Sequence, residues 1–301
     1  MDGGALVPPF FFYFFSNMKI TDILANGKLN ISCELFPPKQ GSELENMRQI
    51  VGEIAKCKPS YMSVTYGAGG NTVGTSVEVA QTIEGMGIPS LAHLTCVGAD
   101  EKSITQVLQK LQVAKVQNIL ALRGDLPDGS RLGKFHHAND LANFIKKQGD
   151  FCLGGAAYPE GHPESDSLSE DIENLKHKLD AGVDFLVTQM FFDNTILYNY
   201  SMRLMQAGIN VPLVPGIMPV TNAAQIKRIC ALSGTKLPVN FSRMVEKFQQ
   251  KPVALKQAGI AYATEQIIDL FVNGFHNVHI YTMNKPDIVG GIIKNLSEIL
   301  G

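Results

Sequence analysis

Acids, imidazoles, amides and a guanidinium recur in this sequence at one kind of place, the end of a short apolar run. The ends in chain order are Glu34 before Pro37-Pro38, Thr65-Tyr66-Gly67-Ala68, His93 with Thr95, and Arg123-Gly124-Asp125. Tyr158 with Glu160 and His162, Thr188-Gln189, Pro215-Gly216, and Tyr281-Thr282 with Lys285 just beyond complete the series. Such residues gathered on one rim fit a pocket for a polar substrate. Glu34 alternates with Cys33 and Leu35, so it faces the other way from them. It reads either as an exposed loop acid or as a carboxyl inside a barrel mouth. In the second case partial burial raises its pKa and suits it to proton donation. Asp125 reads either as the partner of Arg123 in a structural ion pair or as a site acid. Gly67-Ala68-Gly69-Gly70 follows a strand-like run as a phosphate loop would, but Thr72 stands where G-x-G-x-x-G needs its third glycine. Loop flexibility explains those glycines equally well. His136-His137, in a polar loop, read as solvated.

Several chemistries are excluded by what the runs lack. No lysine ends a strand within the core runs, against a Schiff-base mechanism. No His-x-His ends the first run, against a barrel metallohydrolase. The cysteines, Cys33, Cys57, Cys96, Cys152 and Cys230, are odd in number and form no C-x-x-C pair. They read as reduced thiols, and no metal site is expected. A formal net charge of -2 supplies no basic field for nucleic acid.

The elements that must position these ends alternate in type. Apolar runs of parallel-strand character lie at Asn30–Phe36, Tyr61–Tyr66, Ser90–Cys96, Asn118–Leu122, Cys152–Tyr158, Asp184–Met190, Val211–Ile217 and Val278–Thr282. Helical spacing separates them: Leu44, Met47, Ile50, Val51 and Ile54 within Ser42–Lys56, then Ser103–Val113 and Asp140–Lys147. Ser167-x-x-Glu170 resembles a capping box, and its helix should run to about Asp180 and stop at Gly182. Eight such β-α units predict an α/β fold, a single (β/α)8 TIM barrel over residues 18–301. The long stretch between strands seven and eight predicts two or three extra helices, among them Asn222–Leu232 and Leu255–Val272. One helix, near Ile288–Leu300, is expected after strand eight. In such barrels catalysis sits where the strands end.

Leu6 to Phe15 read LVPPFFFYFF, which is too short to span a bilayer. No basic start or small-residue cleavage site marks it as a secretory signal. Residues 1–17 are expected to be an appendage outside the fold, with Met18 as the natural first residue; a cytoplasmic protein without membrane attachment is expected.

Eight motifs stand in order: Glu34-Leu35-Phe36-Pro37-Pro38-Lys39, Ser63-Val64-Thr65-Tyr66-Gly67-Ala68, His93-Leu94-Thr95-Cys96 and Ala121-Leu122-Arg123-Gly124-Asp125-Leu126-Pro127 lead. Ala157-Tyr158-Pro159-Glu160-Gly161-His162-Pro163, Thr188-Gln189-Met190-Phe191-Phe192-Asp193, Pro215-Gly216-Ile217-Met218-Pro219 and Tyr281-Thr282-Met283-Asn284 follow. The series, from about Ile20 onward, resembles methylenetetrahydrofolate reductase of the short bacterial type. The resemblance implies a barrel with noncovalent FAD that reduces 5,10-methylenetetrahydrofolate to 5-methyltetrahydrofolate in one-carbon metabolism. It implies ping-pong hydride transfer: NADH or NADPH reduces the flavin and leaves, and the folate then takes its place. By the same resemblance Glu34 is the general acid that protonates the folate nitrogen. Asp125, near the flavin pyrimidine edge, favours the folate iminium cation. Thr65, Tyr66, Ala68, His93, Arg123, Gly124, His137, Ala138, Tyr158 and His162 match flavin contacts. So do Asp171, Asn174, His177 and Lys178 on the next helix. The spacing of Asp171, Asn174 and Lys178 puts them on one face, with Ile172, Leu175 and Leu179 on another. Gln189 matches a residue touching folate and nicotinamide; Gln225 and Lys285 match folate-side positions.

Three positions depart from the pattern. His177 stands where relatives can carry arginine, Lys285 also replaces a common arginine, and Ile229 occupies a position that can be a stacking phenylalanine. A homo-oligomer acting on a small-molecule substrate is expected. Two alternatives remain open at this stage: a folate-reducing subunit that works with a partner redox subunit and another electron donor, or a non-catalytic barrel that binds flavin or folate.

Overall fold

The computed structural model describes residues 18–66, 73–125 and 133–300. Residues 1–17, and with them the expected appendage, lie outside the described residues, as do Ala68 and the rest of the glycine-rich loop.

Among the described residues nine parallel strand segments form one sheet: β1 (Asn30–Leu35), β2 (Met62–Val64), β3 (Ser90–Thr95), β4 (Asn118–Leu122), β5 (Cys152–Ala157), β6 (Phe185–Thr188), β7 (Leu213–Val214), β8 (Gly216–Ile217) and β9 (Asn277–Tyr281). The order is β7-β6-β5-β4-β3-β2-β1-β9-β8. The two outer segments are the halves of one expected strand, Val211–Ile217, so the sheet closes on itself as a (β/α)8 barrel. The expected continuous strand is corrected here: Pro215 has no N–H to donate and divides it. β7 pairs with β6, and β8 pairs with β9. Two bonds carry the closure past the break. His279 N donates to Pro215 O at 2.8 Å, and Gly216 N, on the far side of the proline, donates to the Thr188 hydroxyl at 2.9 Å. Gly216 must be glycine for space. A Cβ there would sit 2.4 Å from Thr188 O and 2.5 Å from the Tyr281 hydroxyl.

The helices are α1 (Ile20–Leu24), α2 (Leu44–Ala55), α3 (Val73–Gly85), α4 (Glu101–Val113), α5 (Ala138–Gln148), α6 (Leu168–Asp180), α7 (Asn194–Gln206), α8 (Ala223–Ser233), α9 (Val239–Phe248), α10 (Pro252–Val272), α11 (Pro286–Asn295) and α12 (Ser297–Leu300). Three of them, α8 to α10, fill the long connection before β9, as the sequence predicts. The single helix expected at the C-terminal end is instead two, α11 and α12, separated at Leu296. Helices packed on the outside of the sheet bury an apolar stripe against it. On α4 the stripe is Ile104, Val107, Leu108 and Leu111, and Asp100 caps the helix by accepting from Ser103 N at 2.8 Å. The outward strand residues Cys33, Leu35, Leu94, Cys96 and Ile119 meet these stripes in the main core.

Inside the barrel the filling changes with height. At the N-terminal mouth α1 inserts Ile20, Ile23 and Leu24 among Tyr61, Leu91, Leu120, Cys152 and Phe185. Ile20 N is tied to the Asn118 side chain at 2.9 Å. Above this plug lies a polar layer. The His279 imidazole is held between the Ser32 hydroxyl (2.7 Å to Nδ1) and the Ser63 hydroxyl (3.1 Å to Nε2). All five cysteines are free thiols. Among the described residues no helix is long and apolar enough to cross a membrane, and no His, Cys, Asp and Glu cluster could hold a metal ion.

Candidate active site

The upper barrel opens into two cavities that share a wall. One, of about 630 Å³, lies over the strand ends and is lined by Glu34, His93, Asp125, Gln189 and Tyr281, with Gln225, Arg228 and Ile229 of α8 at its side. The other, of about 470 Å³, lies between the end of β4, the N-terminus of α5 and one face of α6. Leu122, Ala156 and Tyr158 line both. The result is one trough, apolar and acid-bearing at the barrel end and rich in donors at the α6 end.

Glu34 is on the trough floor. Strand alternation points Cys33 and Leu35 into the helix-facing core and Glu34 inward, where it is only 7% exposed. The loop-acid alternative is therefore overturned: β1 is buried along its whole length. Burial pushes the Glu34 carboxyl up to about 8. Its nearest basic group is His93 Nε2 at 3.6 Å. The contact is not an ion pair. Burial drives the imidazole down to about 3, so both groups are neutral near pH 7. The His93 Nε2 atom has no hydrogen-bond partner within the protein. Tyr281, which pairs in register with Glu34, donates its hydroxyl proton to Thr188 O at 2.6 Å.

At the other end, Arg123 makes a two-pronged contact with Glu164, 2.5 and 2.6 Å between nitrogens and oxygens. The expected alternative of an Arg123–Asp125 pair is corrected by this contact. Gly124 between them takes φ +90°, and a Cβ there would lie 3.0 Å from Thr95 Cβ. That turn carries Asp125 over the strand-end cavity, while Arg123 lines the α6 one. Glu164 is half exposed, so the pair is worth about 0–1 kcal/mol and is easily exchanged for another anion. Lys178 reaches over the Tyr158 ring and donates to Ala156 O at 3.0 Å. Burial lowers its pKa, and Asp171 opposes that shift.

The α6 face is arranged as its spacing predicts. Asp171, Asn174, His177 and Lys178 line the trough, while Ile172 and Leu175 are buried toward the core. Ser167 caps the helix by accepting from Glu170 N at 3.2 Å, and the helix ends at Asp180 with Gly182 at φ +98°. The Glu170 carboxylate returns to Asp166 N instead of Ser167 N, so the expected box closes one residue early. His137 and Ala138 line the α6 cavity from the start of α5, and His162 packs edge-on against Tyr158. His136 and His137 are both exposed, as the loop composition predicts.

Not every expected residue joins the trough. Thr65, Tyr66 and Gly124 stand at the rim without lining either cavity, and Lys285 donates to the Thr221 hydroxyl at 2.8 Å. Gln189 lines the floor with its amide oxygen accepting from Met190 N. Sequence reasoning missed His279, Glu164 and Arg228. His279 had a usable signal, standing two residues before Tyr281 on the same face of a strand. Glu164 and Arg228 carry none, since each meets the trough through loop or helix geometry.

Residues 19–297 match the family model described as methylenetetrahydrofolate reductase. A 5,10-methylenetetrahydrofolate reductase of Pectobacterium carotovorum is 34% identical over 90% of this chain and 91% of its own. Methylenetetrahydrofolate reductase (NADH) 1 of Arabidopsis thaliana is 35% identical over 93% of this chain, which spans 50% of that plant protein. Among solved structures, an uncharacterized Clostridium thermocellum protein that binds two copies of 5-methyl-5,6,7,8-tetrahydrofolic acid superposes with a TM-score of 0.69. It covers 94% of this chain and all of its own at 13% identity, a likeness of fold.

Proposed function

This chain belongs to the methylenetetrahydrofolate reductase family, and from that premise we propose that it reduces 5,10-methylenetetrahydrofolate to 5-methyltetrahydrofolate. NADH or NADPH is the electron donor and noncovalent FAD the resident cofactor. The observation that carries the reading is Glu34, a carboxyl buried on the floor of a substrate-sized cavity and held protonated near neutral pH.

The trough fits a flavin dinucleotide. Its two adjoining cavities share a wall of Leu122, Ala156 and Tyr158, with cationic donors in one and, in the other, the buried His93 imidazole, whose Nε2 has no hydrogen-bond partner among the described residues. Arg123 and Lys178 would hold the phosphates, Arg123 by exchanging Glu164 for them. Asp171, Asn174, His137 and His162 would hold the polar remainder. When bound, FAD supplies a hydride relay between nicotinamide and folate.

The chain's own residues supply the proton and the electrostatics. Opening the five-membered folate ring breaks a carbon–nitrogen bond. The departing nitrogen is a poor leaving group until protonated, and Glu34 gives it that proton. The methylene carbon, left as an iminium cation, accepts hydride and becomes the methyl group. One hydride and one proton are consumed, and the Glu34 carboxylate regains its proton from solvent. Asp125, at the cavity edge, places a negative charge where the cation develops. Gln189 and Gln225 line the space left for folate.

Rapid mixing of the purified protein separates the two halves. A nicotinamide donor should bleach its flavin absorbance, and 5,10-methylenetetrahydrofolate should restore it. Isolation without flavin, and failure to take up FAD, would refute the reading.

A further inference from the structure

The acid-bearing end of β1 is held by an unusual connection. Pro37 and Pro38 follow Phe36, so the backbone past Phe36 has no N–H with which to continue the ladder. Register pairing between β1 and β9 ends at Glu34 and Tyr281. Beyond that point side chains replace the ladder. Thr282 donates its hydroxyl proton to Glu34 O at 2.6 Å and accepts from Asn284 N at 3.1 Å. The Asn284 carboxamide then behaves as a peptide group toward Phe36. Its oxygen accepts from Phe36 N at 2.9 Å, and its nitrogen donates to Phe36 O at 2.8 Å. To reach that position both Met283 (φ +52°) and Asn284 (φ +56°) adopt the left-handed region. Asparagine tolerates it better than most residues, but methionine does not. Strain of this kind persists where surrounding contacts enforce it. The residues so fixed, Glu34, Phe36 and Met283, all line the strand-end cavity, and Asn284 does not.

We infer that Asn284, assisted by Thr282, is a positioning residue that sets the Glu34 carboxyl and the Phe36–Met283 wall against the folate. The inference rests on the proposed role of Glu34 as proton donor. A displacement of about 1 Å in a catalytic group can cost about 10²-fold in rate, which sets the size of the expected effect. The titratable or charged groups that share the cavity with Glu34 are His93, Asp125, Tyr158, Arg228, His279 and Tyr281. None of them is removed by changing Asn284.

Asn284→Gly tests the role, because glycine accepts the left-handed backbone without strain yet loses both bonds to Phe36. Its melting temperature should stay near that of the wild type, and nicotinamide should still bleach the flavin within twofold of the normal rate. Reoxidation by methylenetetrahydrofolate should slow roughly 10- to 100-fold. Water reaching Glu34 would lower its raised pKa, so the rate should also begin to fall at a lower pH than in the wild type. Thr282→Ser, which keeps the hydroxyl, should behave as wild type, and Thr282→Val should follow Asn284→Gly. The inference is overturned if Asn284→Gly reoxidises normally while Glu34→Gln does not. It is overturned too if both half-reactions and the melting temperature fall together, which marks a merely structural contact. Should Asn284→Gly not fold, a wild-type folate rate in Thr282→Val overturns it. If Glu34→Gln itself reoxidises normally, the acid assignment has failed and the inference falls with it.

Discussion

Glu34 owes its chemistry to one fact of strand geometry and one of solvation. The two-residue period of β1 turns it inward, and the buried interior withholds the water that would stabilise its charge. The consequence for pH has a definite sign. The folded-state pKa, about 8, lies above the ordinary 4.5, so the folded protein binds more protons than the unfolded chain between those values. Through this group stability falls as pH rises through that window and is fully present below it. On the proposed role of Glu34 as proton donor, catalysis should follow the same titration. The folate half-reaction should decline as pH rises through about 8, while bleaching by nicotinamide, which needs no proton on folate, should not follow that decline. Glu34→Gln keeps size and hydrogen-bonding reach but cannot donate, so folate reoxidation should drop about 10²–10⁴-fold with bleaching retained. Stopped-flow absorbance across pH decides it; a wild-type folate rate in the variant would shift the acid to another group, and Glu160, the other acid the sequence offers, lines neither cavity and accepts from Lys236 N. Alternation showed that Glu34 faces away from Cys33 and Leu35 but left open whether that side is barrel mouth or solvent, and it carried nothing of the surroundings. Ser32 and His279 meet across 247 positions and Arg123 and Glu164 across 41, distances over which no spacing rule carries information.

At the scale of elements, legibility followed length and period. The amphipathic helices α2, α4 and α6 were readable because each carries an apolar stripe over ten or more residues. Strand seven was readable as an apolar run, but its division needed the pairing partners on both sides of Pro215. α1 was not expected at all: five residues are too few to show a helical period. Yet α1 closes the lower mouth, with Ile20 wholly buried. Ile20→Ala removes three side-chain carbons from a packed site and should cost roughly 2–5 kcal/mol. Denaturation should show that loss, while both half-reactions at the opposite mouth keep their rates at temperatures where the variant is folded. Unchanged stability would mean that α1 lies against the barrel without supporting it.

The whole molecule joins two ends with different duties. Barrel closure through β6, the split strand and β9 brings Glu34, Thr188 and Tyr281 to one floor, and the α6 connection builds the donor-rich annex beside it. A ligand that occupies both must hold them in register, and its removal should be felt by the entire fold. A group that binds the native state alone adds RT ln(1 + [L]/Kd) to stability, about 2.7 kcal/mol at a hundredfold excess over Kd. Protein stripped of flavin should therefore melt at a lower temperature, and added FAD should restore it. Fragments of the cofactor separate the two ends. Riboflavin offers the ring that the strand-end cavity would take and its ribityl chain, but no phosphate. FMN adds one phosphate for Arg123 and Lys178, and FAD adds the second phosphate and the adenosine. The order of stabilisation at equal concentration should be FAD, then FMN, then riboflavin. Arg123→Ala should narrow the gap between FMN and riboflavin, because it removes the phosphate's guanidinium partner and leaves the ring's surroundings intact. Thermal melting of stripped protein with each ligand measures this directly. Equal stabilisation by riboflavin and FAD would show that the α6 annex holds no part of the cofactor, and its donors would then need another anionic ligand.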